Sequence, residues 1–332
     1  MYHGRKSLCL ASALIAGLTL CATAAQAQTA LLRQAIAEND GWAAGTDGGA
    51  GAADANIYTV TNRAELVAAL QAGGRPEIAK IIQVRGTIDL SVDDANKPLL
   101  EKDYADPAYD FEAYKAAYAP AVWNVKLTDK KRPERDLTGP LEEARKRSAE
   151  RQKARIVIKL TSNTTLIGIG GDAKIVKGNL VVGAGTENVI IRNITFEDAF
   201  DYFPAWDPGD SWKLDTSYPG CQESYVDAAT GPQQCPGGRW NSEYDSISIS
   251  GGKRVWIDHC TFTDGDRPDH LFPPVYPFPQ NMLEQKVQHH DGHVDITNGA
   301  DLVTLTYNHF QGHDKTSLVG GSDSRTDDAG KL

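Results

Sequence analysis

Val189-Ile190-Ile191-Arg192-Asn193-Ile194-Thr195-Phe196, Val255-Trp256-Ile257-Asp258-His259-Cys260-Thr261-Phe262 and Val303-Thr304-Leu305-Thr306-Tyr307-Asn308-His309-Phe310 are three copies of one pattern. Apolar residues recur at matching places and a phenylalanine closes each copy. The spacing is uneven: 66 residues separate Phe196 from Phe262, and 48 separate Phe262 from Phe310. Strands this short cannot bury their faces alone. Stacked coil on coil they share a continuous core and can extrude loops between copies. The pattern predicts an all-β chain wound as a parallel β-helix. A β-sandwich competes, but it expects antiparallel hairpins with tight turns of the Asn-Gly kind. Here the connections are long and irregular: Phe203 to Arg239, and Asp264 to Lys286 with its Pro-rich run Phe272 to Pro279.

Upstream, Ile81 to Val84, Gly86 to Leu90, Ile156 to Ile158 and Thr165 to Ile169 read as further strands. Asn62, with Glu65 three residues on, starts a short N-terminal helix through Leu66, Val67, Ala69 and Leu70 that ends near Gly73-Gly74. Ala- and Gly-rich residues 28–56 are expected to lie loosely over the surface. Residues of about 92–150 are charged, with Tyr and Pro through the first half. They read as a partly helical surface insertion packed on the scaffold, or as a separate binding module. Within them, Leu141 to Arg155 predicts an exposed helix.

Arg5 and Lys6, the mostly apolar Leu8 to Leu20 and the small-x-small Ala25-Gln26-Ala27 read as a secretory signal over residues 1–27. A membrane anchor would need a longer apolar run, and Leu18-Thr19-Leu20 before Cys21 suits a lipoprotein signal poorly. The remaining residues, 28–332, read as one domain. The chain has 44 acidic against 34 basic residues and a net charge of −10, and loss of Arg5 and Lys6 would deepen the deficit. Such a chain is not expected to bind nucleic acid through bulk charge, and attraction of a polyanion needs a local patch or a bound cation. In an oxidising compartment Cys221 and Cys235 could close a small loop or stay free, while Cys260, in an apolar run, reads as a buried thiol.

Acids punctuate the β-type runs: Asp245, Asp291 and Asp295 are candidate ligands for a hard cation such as calcium, which takes several oxygens at about 2.3–2.6 Å. Coils lie about 4.8 Å apart, so acids on stacked runs can converge. Asp291 and Asp295 would be roughly 13 Å apart in one straight strand. The chain must therefore turn near Gly292, with Asp295 starting the next strand. Three unrelated surface carboxylates would give the same spacing. His289, His290 and His293 invite a zinc reading, but no HExxH pattern occurs and the run does not read as a helix. His259 beside Asp258 reads as a buried, hydrogen-bonded stacking residue. Asp327-Asp328 is the late adjacent acid pair that glycoside hydrolysis could use. It lies in a turn-like stretch, and the Arg-Ile-Lys signature of β-helical polygalacturonases is missing.

Trp240-Asn241-Ser242-Glu243-Tyr244-Asp245, Val255-Trp256-Ile257-Asp258-His259, His290-Asp291-Gly292-His293-Val294-Asp295 and His313-Asp314-Lys315, in this order, resemble the extracellular pectate lyases of polysaccharide lyase family 1. The resemblance runs from about Ile57 to Leu332 and includes the Tyr-rich insertion and Asp198 to Pro204. It implies a right-handed parallel β-helix and a Ca²⁺ site at Asp245, Asp291 and Asp295. Lys315 then matches a lysine binding substrate carboxylate, with Glu243 a weaker match for further calcium. Asp258 and His259 match a signature that looks structural. The implied activity is secreted, calcium-dependent β-elimination on polygalacturonate giving 4,5-unsaturated oligogalacturonides, by a monomer with no membrane or nucleic-acid partner. In the family an arginine acts as base, which leads us to expect an alkaline optimum. The Arg-x-Pro-Arg-x-Arg-type stretch that holds it is absent from residues 1–332, where Arg325 is the last arginine. The resemblance therefore places the catalytic residue beyond Leu332, and residues 28–332 alone are expected to be poorly soluble and inactive. A pectin lyase, or a non-catalytic pectate-binding β-helix, would be the alternatives.

Overall fold

In the computed structural model, residues 30–123, 136–208, 213–214, 235–236, 238–278, 280–321 and 325–331 are described. The strands, in chain order, are β1 (Ile57–Val60), β2 (Lys80–Asp89), β3 (Val157–Lys159), β4 (Thr164–Val176), β5 (Asn179–Gly183), β6 (Glu187–Arg192), β7 (Thr195–Glu197), β8 (Ala205–Asp207), β9 (Lys213–Leu214), β10 (Cys235–Pro236), β11 (Arg239–Asn241), β12 (Ile247–Ser250), β13 (Lys253–Asp258), β14 (Thr261–Thr263), β15 (Val294–Thr297), β16 (Asp301–Thr306) and β17 (His309–Gln311). The three sequence copies lie one above another, in parallel register. Val189 pairs with Val255 and Val255 with Val303. Phe196, Phe262 and Phe310 form another such column.

Three parallel stacks make the walls of a right-handed parallel β-helix. One is β3-β5-β12-β15. The second runs β1-β2-β4-β6-β13-β16, and the third adds β7, β14 and β17 to the C-terminal parts of β2 and β4. The long strands β2 and β4 pass around the corner between stacks. Gly86 was expected to divide two strands; it lies instead at a register shift between Arg85 and Thr87 inside β2. In the later coils the same corner is turned by one residue in left-handed conformation: Asn193 (φ 55°), His259 (φ 52°) and Tyr307 (φ 53°).

The core is the column of inward residues. Leu180, Val189, Ile191, Ile247, Ile249, Val255, Ile257 and Val294 are fully buried. The phenylalanine rings stack at 5.2 and 4.9 Å with planes 10° apart, each pair adding about 0.5–1.5 kcal/mol beyond area burial. Cys260 is a buried thiol outside any disulfide, as expected. His259 is not buried. As the corner residue it points outward, its Nδ1 donates to Asp258 Oδ1 (2.8 Å), and its ring lies 5.0 Å from that of Tyr307.

The N-terminal helix runs Arg63–Gln71, with Asn62 accepting from the Glu65 N–H at 3.0 Å. Residues 30–56 are not loose. Ile36 packs against Ile190 and Trp256, and Ala43 and Ala52 are buried, so this segment covers the outer face of the second stack. The insertion forms helices Glu101–Tyr104, Phe111–Tyr118, Pro120–Trp123 and Pro140–Ile156. The last takes in Ile156, which was expected in a strand. Nor is that helix simply exposed: Glu142, Arg145, Ser148, Gln152 and Ile156 lie on its buried face. Glu142 pairs with Arg145 at 2.8 Å and accepts from the Tyr114 hydroxyl. Residues 1–27 and Cys221 lie outside the described residues, so neither the leader nor the Cys221–Cys235 pairing is placed here. Among the described residues, no helix is long and apolar enough to cross a membrane.

Gly168 lets two coils approach: a Cβ there would sit 1.9 Å from the Asn193 carbonyl oxygen. Gly168→Ala should lower the unfolding free energy by about 1–3 kcal/mol or more in urea titration. Gly183→Ala, where nothing lies within 4 Å, should stay within about 0.5 kcal/mol.

Candidate functional site

Asp245 lies two residues before β12 and Asp295 lies on the neighbouring strand β15, where it stands opposite Ser248. The ladder between those strands therefore brings two acids from distant sequence to adjacent coils. Ser248 donates to Asp245 Oδ2 at 2.6 Å, and the Leu318 N–H donates to Asp295 Oδ1 at 3.0 Å. Asp291 precedes β15, its N–H held by the Tyr244 carbonyl at 3.2 Å. The chain bends at His293, next to Gly292, with Val294 opening the strand and Asp295 second in it.

Gly292 reports how tightly the acids converge. A Cβ at that position would lie 2.7 Å from Asp295 Oδ1 and 2.8 Å from Asp245 Oδ1. Asp245 Oδ1 is buried and has no hydrogen-bond partner among the described residues. Burial, then Asp295 and Asp291, push the Asp245 carboxyl up to about 7. Asp295 is also raised, chiefly by burial. Lys315 donates to Asp291 Oδ1 and, at 3.2 Å, to Gln288 Oε1. All four sequence candidates thus meet in one place. An unpartnered buried carboxylate oxygen among like charges suits an oxygen-ligated dication. Glu243 is nearby in sequence but is paired with Lys153 at 3.3 Å, half exposed.

The histidines separate. His289 stacks on Phe200 at 4.3 Å, with Nδ1 2.6 Å from the Asp201 carbonyl oxygen. His290 is clamped between Asp269 (Nδ1, 2.8 Å) and Asp198 (Nε2, 3.1 Å). Burial alone would lower its pKa, but the two carboxylates outweigh this and raise it to about 9. Asp198 also takes Arg267, at 2.6 Å, and that guanidinium lies 3.7 Å from the Phe200 ring centroid. This network fastens residues 264–272 beside Asp291. Sequence reading missed Asp198, Arg267 and Asp269, because no motif or periodicity links them. Asp327-Asp328 is not a catalytic pair: Asp328 accepts from the Gly299 and Gly321 N–H groups at 2.6 and 2.9 Å.

The insertion supports the site from behind. Gln152 holds the Phe200 carbonyl and Tyr202 N–H at 2.7 and 3.0 Å, and Arg145 holds the Phe203 carbonyl at 2.8 Å. Asp201, in that loop, accepts from the Glu243 N–H at 3.2 Å, two residues before Asp245.

A family model described as pectate lyase matches residues 7–115 and 137–332. A pectate lyase of Bacillus subtilis (strain 168) is 45% identical over 98% of this chain and 68% of that protein. Pectate lyase A of Dickeya chrysanthemi is 32% identical over 99% of this chain and 63% of that protein. Among solved structures, a pectate lyase bound to a hexasaccharide superposes with a TM-score of 0.73 at 44% identity, covering 91% of this chain and 66% of that one. A pectate lyase from Acidovorax avenae subsp. citrulli gives 0.72 at 39%, covering 88% and 61%. The chain spans about two thirds of the length of these relatives.

Replacing His290 with alanine leaves Asp198 and Asp269 buried without their shared cation. Loss of about 3–5 kcal/mol of stability is expected in chemical unfolding. Because the folded pKa is raised, the clamp's contribution is present below about 6.5 and is lost as pH rises through about 9. The variant's stability profile should be flatter than wild type across that window.

Proposed function

This chain belongs to the pectate lyase family, and we propose that the protein is a secreted enzyme that cleaves pectate by β-elimination at a calcium ion held by Asp245, Asp291 and Asp295. The observation that carries the ligand assignment is the convergence of Asp245 and Asp295 on Gly292, with Asp245 Oδ1 unpartnered. Calcium, when bound, supplies a positive charge that pairs with a uronate carboxylate and makes the neighbouring C5 proton more acidic.

The chain's own residues would divide the remaining work. Asp245, Asp291 and Asp295 form the negative floor and fix the ion's place. Ser248 and the Leu318 N–H hold two of those carboxylates in orientation. Lys315, at the rim beside Asp291, is positioned to pair with a substrate carboxylate and align the sugar. In the overall reaction a base removes the C5 proton, the C4–O bond breaks, and a double bond forms between C4 and C5 without consuming water. No proton-abstracting residue is assigned among those at the cluster. Polygalacturonate is the proposed partner, met by a monomer. Residues 1–27 serve as the secretory signal, and 28–332 as one β-helical domain carrying the insertion at about 92–150.

In the protein expressed from the gene read to its natural stop, product release from polygalacturonate, followed as ultraviolet absorbance of the unsaturated end, should require calcium and stop with chelator. Asp291→Ala should remove calcium binding in calorimetry and product formation together. Lys315→Ala should keep calcium binding and raise KM. Calcium binding unchanged in Asp291→Ala would sink the ligand assignment, and calcium-independent product on esterified pectin would sink the pectate reading.

The elevated Asp245 carboxyl adds a pH expectation. A proton must leave it before it can serve as a ligand, so calcium affinity should fall as pH drops below about 7. Calorimetry at pH 5.5 against pH 8 should show at least about a tenfold loss in wild type, and a smaller loss in Asp245→Asn.

A further inference from the structure

Asp264, His293 and His313 form a second cluster, in the space between the third stack and the loop that begins at Asp264. Ligand atoms from the three residues all lie within 4.8 Å of one another. His313 Nε2 lies 2.8 Å from the Asp291 carbonyl oxygen. That oxygen can only accept, so Nε2 carries the hydrogen. His313 Nδ1 then faces Asp264 Oδ2 at 2.9 Å, and in the neutral ring both of these atoms are acceptors. A positive charge belongs between them. His293 supplies the second observation. It is 2% exposed, and its Nε2 has no hydrogen-bond partner among the described residues. Its ring lies 4.6 Å from that of His313.

We propose that Asp264, His293 and His313 bind a transition-metal dication of zinc's class, at a site separate from the three-carboxylate cluster. Two imidazole nitrogens and one carboxylate oxygen suit zinc or cobalt, whereas calcium favours an all-oxygen shell. The Asp291 carbonyl is the outer partner that fixes the ring of His313, as metal-bound imidazoles require. Asp264 and His313, though not His293, also line a cavity of about 360 Å³ together with His270, Lys286 and Asp314, which would give a metal a path to two of the three ligands. A metal here would join residue 264, at the root of the long loop, to the turn at 293 and the segment at 313, and so brace the ground beside Asp291.

The test is cobalt(II) titration of the full chain with calcium in excess, so that it reads this cluster whether or not the three aspartates hold calcium. One equivalent should bind with the visible ligand-field bands of nitrogen coordination, be displaced by zinc, and raise the thermal midpoint. His293→Phe keeps a ring between Phe262 and Phe310, whose centroids lie 5.9 and 6.1 Å away, and removes the nitrogen. It should weaken cobalt binding at least tenfold, as should Asp264→Asn, which guards against a folding defect in the first variant. Absence of cobalt uptake by the wild type would mean that a proton alone bridges His313 and Asp264, and would overturn the proposal. Uptake equal to wild type in both variants would overturn it as well.

Discussion

Each strand of the last complete coil pairs in parallel with the strand one coil before it: Val294 with Ile247, Val303 with Val255, Phe310 with Phe262. Main-chain hydrogen bonding between coils is the constraint from which the rest of the molecule follows. A three- or four-residue strand such as β14 or β15 cannot bury a face by itself. In a column it gains neighbours above and below, and a slip of one residue would turn every inward side chain outward. The column of buried valines and isoleucines and the phenylalanine stack hold the register, and the left-handed corner residues set where each coil bends. Asp295 reaches Asp245 because this same ladder places it opposite Ser248, three residues from Asp245.

Charge enters this scaffold at a cost that the surroundings offset only in part. The insertion's Glu142–Arg145 pair is buried but satisfied on both sides, by Tyr114 and by the Phe203 carbonyl. His290 between two carboxylates is likewise matched. Among the described residues Asp269 Oδ2 and Asp245 Oδ1 are both buried and unmatched, but Asp269 faces the His290 ring whereas Asp245 faces two further carboxylates, Asp295 and Asp291. Such an imbalance raises the proton affinity of Asp245 and equally its appetite for a metal, since both relieve the same desolvated charge. Lys315 relieves the part of the cluster that faces outward.

The repeat with its closing phenylalanine made the coil stack legible, because period and register are local properties of the sequence. The bend next to Gly292 was legible from strand geometry, since four residues in one strand would separate Asp291 from Asp295. What stayed hidden depends on partners far apart in the chain. The helix Pro140–Ile156 buries a face made of Glu142, Arg145, Ser148 and Gln152, so hydrophobic periodicity reports it as exposed. The covering segment around Ile36 has too few apolar residues to signal its packing on Trp256. The Asp198–His290–Asp269 clamp joins positions 92 and 21 residues apart, and no spacing rule predicts that. His259, the easiest residue to notice, is a corner that its φ of 52° explains and that sequence cannot show.

The long excursions leave the coils after β7 and after β14, at the same edge of the barrel-like stack. They return to β12 and β15, whose starting points are fixed by the ladder and not by the length of chain in between. Between coils, insertion or loss of residues in these excursions is therefore geometrically silent to the core, whereas one residue added inside β13 would disturb every column. The outer surface built by these excursions can accordingly diversify by lengthening and shortening wherever the His290 clamp and the buried Trp206, Trp240 and Tyr276 are kept. The three-carboxylate cluster, rooted in strand ends, can change only by substitution.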